Sequence, residues 1–458
     1  MKPAKPSTKT IITWPSDLAA LHRLNPSRYP FLLESAAIGN SLGRYDLLFA
    51  FPQESLSLHA GLTLSGHTTA TSGDFLESFD GWWAEESIPT MPDCEQPFSG
   101  GWFLLLGYEL AQQIESTLDL RTKSDQPVAT AIRVPIAVIR DHHEGQAWIV
   151  AEAGSDAMVQ HILHDLKELQ IAAAPDNQHE NALQGQVVED DPEDFINAVD
   201  QAQRYIVAGD IFQANLSRQW RGNLRPGIQP VDIYERLRRT NPAPFAGLAV
   251  LDDFAVISSS PERLLRIRGN RVETRPIAGT RPRSPSRSGD AQLREELLAN
   301  AKERAEHVMV IDLERNDLGR ICHAGSIKVD EFMVIESYPH VHHIVSNISG
   351  QLNDDATPGA IIAAMFPGGS ITGCPKVRCM EVINELEDRP RGMYTGAMGY
   401  INRDGSGDLS ILIRCITTAG PKLSLATGCG IVTDSKPDAE LAETFAKAKG
   451  LLLALKEC

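Results

Sequence analysis

One stretch governs how this chain can be organised: IAAAPDNQHENALQGQVVEDDPED, ending at Asp194, is polar, acidic and free of aromatics. Such a composition cannot bury enough apolar surface to fold by itself and reads as a solvated linker. It divides the chain into a region at 11–170, a linker at 171–190 and a region at 191–458. The length of 458 residues exceeds the ~250–300 at which one hydrophobic core stops growing, so two domains or one large composite α/β unit are expected.

The two regions read differently. Before the linker, short β-like runs such as YDLLFAF and RVPIAVIRD alternate with Gly-rich turns, notably FSGGWFLLLGYEL, which predicts sheet. After it, Asp191 as N-cap and Pro192 at the first helical position open a helix. Its Phe195, Val199, Ala202 and Ile206 share a face until Gly209 ends the run. A second helix is predicted over 291–310, with Leu293, Leu297, Leu298, Ala301, Ala305 and Val308 as its stripe. A third begins at Pro437 and carries Leu441, Phe445, Ala448, Leu452 and Leu455. Gly450 inside it weakens the helix by about 1 kcal/mol of propensity. Strand-like LSILIRCIT and SLATGCGIVTD lie between helices, and no repeat of fixed period supports a solenoid or propeller.

Charge narrows the partners. Lys and Arg total 43 against 60 Asp and Glu, and the net charge of -17 repels nucleic-acid phosphates and anionic lipid headgroups alike. No nucleic acid and no membrane is expected as a partner, yet a few placed cations suffice to bind a small dianion. The opening MKPAKPSTKT leads into no apolar segment of the kind a signal peptide needs. No run approaches the ~18 apolar residues that cross a bilayer. Seven cysteines (Cys94, Cys322, Cys374, Cys379, Cys415, Cys429, Cys458) form no CxxC pair. They predict a reducing cytoplasm, buried thiols and no zinc.

Three groups of residues could carry chemistry. FPGGSITGCPK sets Gly368 and Gly373 at phosphate-loop spacing, but Cys374 and Pro375 stand where that loop needs Lys and Ser or Thr. Nucleotide binding is not expected, while a turn facing some anion stays open. Glu306 and Glu443, on different helices, could hold magnesium through oxygen. By spacing alone they read equally as solvated groups, Glu443 pairing with Lys447 at i,i+4. His342 and His343 adjoin a strand-like run, so they point to opposite faces and one can be a satisfied core histidine.

From Phe195 onward the chain carries, in order, GDIFQANLSRQW, SSSPERLLR, TRPIAGTRPR, ERAEHVMVIDLERNDLGR, HHIVS, FPGGSITGCPKVRCMEVINELE, GAMGYI, LSILIRC, GCGIVTDS and ELAETFAKAKGLL. This set resembles the chorismate-binding enzymes. FLLESA and FSGGWFLLLGYEL resemble, more weakly, the amino-terminal part of members coupled to amidotransferases. The resemblance implies an α/β (α+β) fold whose extensive antiparallel sheets enclose the active site, with helices outside and 191–458 as the catalytic region. It implies Glu306 and Glu443 as Mg2+ ligands bridging to the ring carboxylate of chorismate. Arg414, Tyr400 and Lys447 would then face the pyruvyl carboxylate. Backbone amides around Gly428 and Gly430 would hold the ring carboxylate, with Thr372 among the substrate-binding residues. Glu262 of SPER corresponds to the general acid that protonates the departing hydroxyl, and such a carboxyl must stay protonated near neutrality. His343 corresponds to the histidine near the reacting ring, and Ala278 and Thr280 of PIAGT belong to the same catalytic set.

The nucleophile follows from one position. Water-using members of the family carry a Lys general base in the strand after the first helix; here that position is Gln213, and an amide cannot deprotonate water. The resemblance thus implies ammonia, and a glutamine amidotransferase partner, since no amidotransferase nucleophile motif occurs in the chain. Ammonia-using members aminate ring carbon 4 (aminodeoxychorismate synthases, which serve 4-aminobenzoate and folate synthesis) or ring carbon 2 (anthranilate and 2-amino-2-deoxyisochorismate synthases). Asn215 in QANLS, FPGGSITG and HHIVS resemble the carbon-4 group. Ala278 departs from it, because many of those enzymes have PIKGT, whose Lys attacks carbon 2. Glu34 and Ser35 of LLES, with Asn241, Pro242 and Phe245 of NPAPF, resemble the tryptophan pocket of the family.

Overall fold

A computed structural model describes residues 7–36, 43–67, 73–89, 96–123, 126–171, 181–338 and 341–456. Cys94, Cys458 and linker positions 172–180 lie outside the described residues.

Two large antiparallel sheets form the frame. Alternation along single strands explains why they stack. In the Gly101–Leu106 strand, Trp102, Leu104 and Leu106 enter one buried cluster while Phe103 and Leu105 enter another. In Ile136–Asp141, Ile136 and Val138 face one cluster, Ala137 and Ile139 a second. A strand apolar on both faces has to be covered on both. The cluster common to these strands lies between the sheets, where Phe31 of one stacks on Phe103 of the other at a centroid separation of 4.1 Å. Helices cover the outer faces. Pro230–Thr240 and Pro437–Leu455 pack on the first sheet, Phe75–Glu86 and Pro358–Met365 on the second. The result is a helix–sheet–sheet–helix arrangement, the mixed architecture expected from the sequence.

The polar stretch that divides the sequence does not divide the sheets. Phe31–Glu34 pairs with Phe245–Leu251 in the first sheet, and Gly101–Leu106 with Ala397–Asn402 in the second. Backbone hydrogen bonding therefore joins strands from before and after it into one composite unit.

Two of the expected helices occur as read. Pro192–Ala208 starts with the Asp191 carboxylate accepting the N–H of Glu193 at 3.0 Å and stops at Gly209, which has φ of 84°. Pro437–Leu455 contains Gly450 because a Cβ there would come within 2.9 Å of Asn241. The helix predicted over 291–310 is instead two, Arg287–Ala299 and Ala301–Gly319. Asn300 breaks it: its Oδ1 accepts the N–H groups of Lys302 at 3.0 Å and Glu303 at 3.2 Å, which caps a new helix. Both helices rest on the same strand, Ile277–Pro282, but of the predicted stripe only Leu297 is buried, while Leu298, Ala301, Ala305 and Val308 are exposed, because the turn broken at Asn300 sets the second helix on a different face. Among the described residues no helix is long and apolar enough to cross a membrane.

Candidate active site

A cavity of about 470 Å³ is lined entirely by residues between Gln213 and Lys447. Both sheets reach it. Gln213 and Asn215 come from the Gln213–Asn223 strand, and Thr427, Gly428 and Gly430 from its neighbour Lys422–Ile431. Opposite stand Ala278 and Thr280 of Ile277–Pro282 and His343 of Val341–Gln351. The helix restarted at Asn300 supplies Lys302, Glu303 and Glu306, and the last helix supplies Glu440, Glu443 and Lys447. A side chain at Gly430 would collide with the Gln213 amide, so glycine there keeps room for it.

Glu262 and Arg414 lie where the chain crosses between the sheets. Glu262 joins Phe254–Ser260 of the first to Arg263–Arg268 of the second, and Arg414 makes the reverse crossing from Gly407–Ile411 to Cys415–Ala419. Burial pushes the Glu262 carboxyl up to about 7, against the opposing hydrogen bonds from Ser370 Oγ (2.7 Å) and Ile277 N (3.2 Å). Both donors meet Oε1, so the proton of the neutral acid belongs on Oε2, free to be given away. Arg414 adopts φ of 54°, a strained value for a residue with a side chain. Its guanidinium makes no ion pair or hydrogen bond with any described residue, and burial lowers its pKa against the nearby Tyr394 and Glu443.

His343 and His342 point to opposite faces, as alternation requires. His342 is the core histidine, between Ser337 Oγ at 2.7 Å and Asp290 at 2.9 Å. His343 faces the cavity with Nδ1 2.9 Å from Thr280 Oγ1 and 3.4 Å from the Gly279 carbonyl, which can only accept. That contact favours hydrogen on Nδ1 and leaves Nε2 a free lone pair. Burial, then the Arg414 charge, pushes its pKa down to about 3, so the ring is neutral at pH 7.

Four carboxylates share one side: Glu303, Glu306, Glu440 and Glu443. Burial raises Glu306 to about 7, helped by the charges of Glu303 and Glu440 and opposed by Lys302. Glu306 Oε1 is buried without a hydrogen-bond partner among the described residues. Glu443 pairs with Lys447 Nζ at 2.6 Å, the same ammonium that donates to the Gly428 carbonyl at 2.9 Å. Gln213 Oε1 and Asn215 Oδ1 are likewise buried without partners.

Two expected residues fall elsewhere. Tyr400 points between the sheets, packed edge-on to Phe98 at 5.8 Å, because Met398 and Tyr400 share the inner face of a strand whose Ala397 and Ile401 face outward. The tyrosine on the cavity is Tyr394. Thr372 is buried within its own turn, its hydroxyl donating to the Gly368 carbonyl at 3.0 Å. Residues missed in the sequence include Tyr394, Ser370, Glu303 and Glu440. The last two had a signal, since Glu303 and Glu440 each lie three residues before a named glutamate and so share its helix face.

The Glu34 cluster lies apart from this cavity. Glu34 and Ser35 adjoin Phe245 through the Glu34–Ala246 register and the Ala36 N–H to Ala243 carbonyl bond at 3.0 Å. The Glu34 carboxylate is engaged by Arg140 (2.9 Å), Tyr234 (2.5 Å) and Arg238 (3.2 Å). Asn241 donates to Ser259 Oγ at 3.2 Å.

A cavity with a buried carboxyl raised to about 7, an unpaired arginine and a cluster of carboxylates suits an enzyme acting on a small polyanion. Comparison with known proteins gives the class: residues 44–453 match the model for chorismate binding enzymes, and the chain belongs to that family. Aminodeoxychorismate synthase component 1 of Bacillus subtilis (strain 168) is 38% identical over 453 residues, 96% of this chain and 95% of that protein. Anthranilate synthase component 1 of Synechocystis sp. is 36% identical, over 97% and 95% respectively. Anthranilate synthase component I from Streptococcus pneumoniae superposes with a TM-score of 0.79 at 29% identity, covering 90% of this chain and 93% of that one.

Proposed function

We propose that this chain aminates chorismate at ring carbon 4, giving 4-amino-4-deoxychorismate, with ammonia delivered by a glutamine amidotransferase subunit. The observation that carries it is Gln213. Its buried amide oxygen offers a lone pair to an N–H donor and cannot take a proton from water, so the cavity favours ammonia as nucleophile. Carbon 4 is preferred on the motif wording and on the likeness to the Bacillus subtilis enzyme.

Chorismate carries two carboxylates, and the cavity has two places for them. The unpaired Arg414 answers one. The other would meet magnesium held by Glu306 and Glu443, because a buried Glu306 oxygen with no hydrogen bond and only a 3.7 Å ion pair to Lys302, beside the carboxylates of Glu303, Glu440 and Glu443, is a donor set that a hard cation satisfies. A magnesium ion held there would supply positive charge that neutralises the carboxylates of Glu306 and Glu443 and orients a ring carboxylate. Glu262 gives its proton to the hydroxyl leaving carbon 4 as ammonia bonds to carbon 2, releasing water. Ala278 cannot be a nucleophile, so ammonia makes that first attack itself. The ammonium formed at carbon 2 passes its surplus proton to the Glu262 carboxylate; a second ammonia then bonds to carbon 4 as the carbon 2–nitrogen bond breaks, and the amine leaves as ammonia with that proton returned by Glu262. Ala278 supports a second reading: stopping after the first addition, then losing pyruvate, would make anthranilate.

Chromatography of products from chorismate, magnesium and ammonium, with and without aminodeoxychorismate lyase, decides. Mainly 4-aminobenzoate with the lyase is expected; mainly anthranilate without it overturns the carbon-4 assignment. Excess EDTA should abolish turnover, and Glu306→Gln and Glu443→Gln should each remove most of it with the fold intact. The buried, partnerless Ser35 Oγ beside Phe245 supports tryptophan as ligand of the Glu34 cluster, which calorimetry with tryptophan would test.

A further inference from the structure

The turn that carries Ser370 is clamped from three sides. Asn215 N–H donates to the Thr372 carbonyl at 2.8 Å, and Arg391 Nη1 to the Ile371 carbonyl at 3.1 Å. On the third side Glu314, 2% exposed on the Ala301–Gly319 helix, accepts the N–H of Gly369 through Oε1 at 3.0 Å. The fit is close: a Cβ at Gly369 would stand 2.6 Å from Leu313 Cδ2 and 3.1 Å from that same oxygen. The next residue is Ser370, whose hydroxyl donates to Glu262 Oε1 at 2.7 Å. Glu314 does not line the cavity and cannot touch what binds there.

We propose that Glu314 is a positioning residue for the proton-donating carboxyl: it holds the Gly369 N–H, thereby Ser370, and thereby Glu262. This rests on the reading of Glu262 as the acid. The charge on Glu314 is a separate contribution: the Ser370 hydrogen bond orients Glu262 but favours its ionised form, whereas a charge on Glu314 favours the neutral acid. Burial raises the Glu314 carboxyl itself to about 7, so its charge develops over the same pH range, where it disfavours a second negative charge on Glu262 and so helps keep Glu262 protonated. The other charged or titratable groups around the pair are Asp317 and Lys376, joined by an ion pair of 2.5 Å below Glu314, Arg320 beside Asp317, and Lys447, whose positive charge opposes the effect on Glu262.

The two contributions separate by substitution. Glu314→Gln keeps an acceptor for the Gly369 N–H and removes the charge; Glu314→Leu removes both. Chorismate consumption is measured against pH with magnesium and an ammonium salt, so the outcome does not depend on which ring carbon is aminated. Glu314→Gln should hold kcat within ~3-fold and KM for chorismate unchanged, while the alkaline limb of kcat/KM moves to lower pH by about half a unit or more. Glu314→Leu should lower kcat ~10-fold or more with little change in KM. An unmoved limb in Glu314→Gln together with wild-type kcat in Glu314→Leu overturns the proposal. So does a loss of chorismate affinity in parallel with kcat in either. If Glu314→Leu does not fold, the Gln limb alone decides, a shift supporting and no shift refuting. Full consumption of chorismate by Glu262→Gln would instead refute the role of Glu262 itself.

Discussion

Glu262 shows how a residue's chemistry is set by what surrounds it. An exposed glutamate titrates near 4.5, and burial between the sheets carries this one to about 7. Below about 7 it is an acid able to protonate a leaving group; above, it is not. With rate expressed per free ammonia, kcat/KM should fall as pH rises through about 7, and Glu262→Gln should remove nearly all activity. The same shift has a stability consequence of definite sign. The folded chain holds a proton on Glu262 that the unfolded chain has lost between about 4.5 and 7, so its contribution to stability falls as pH rises through that window. Relative to Glu262→Gln, wild type should lose on the order of 3 kcal/mol from pH 4 to pH 8 at ~1.4 kcal/mol per unit, measured by denaturant unfolding without ligands. An identical pH dependence in the two proteins would show that Glu262 is not buried as a neutral acid.

At the scale of elements, the break at Asn300 decides where the carboxylates go. The restarted helix delivers Glu303 and Glu306 to the cavity, and Asn300 holds its first turn. Asn300→Ala removes that cap and should cost about 1 kcal/mol of stability. Because alanine also favours running the two helices together, the magnesium needed for half-maximal rate should rise more than kcat falls. Equal magnesium demand in the variant would mean that the break does not set the carboxylates. The break was hard to read because the apolar stripe continues through it; only N-A-K-E, an N-cap followed by glutamate three residues on, marked it. Tyr400 was misplaced for a related reason. Its strand AMGYIN is buried throughout, so alternation in hydrophobicity gives no clue to which face meets the cavity. Where caps or parity left a mark, the sequence was readable: Asp191, Pro192 and Gly209 bound their helix, and His342 and His343 separate as alternating neighbours must. The merging of the two regions left none, since pairing between distant strands depends on contacts that no local pattern encodes.

At the scale of the whole molecule, the proposed use of ammonia separates what this chain would do from what a partner would have to do. Releasing ammonia from glutamine calls for an activated nucleophile, most simply a cysteine held as thiolate in an electropositive, accessible place. The described cysteines have the opposite surroundings. Burial raises the thiols of Cys322 to about 11 and Cys415 to about 12, and lifts Cys374, Cys379 and Cys429 as well; none of the five lines the cavity. Ammonium in bulk water is mostly protonated at neutral pH and so is a poor nucleophile, which makes delivery of the free base from a docked amidotransferase the efficient route. The isolated chain should therefore turn over chorismate with concentrated ammonium salts at raised pH and give no turnover with glutamine. Adding a glutamine amidotransferase subunit should restore glutamine use at neutral pH, with glutamate formed in step with chorismate consumed. Glutamate released from glutamine by the isolated chain would sink the two-subunit reading, and ammonium failing to support any turnover would remove ammonia as the nucleophile.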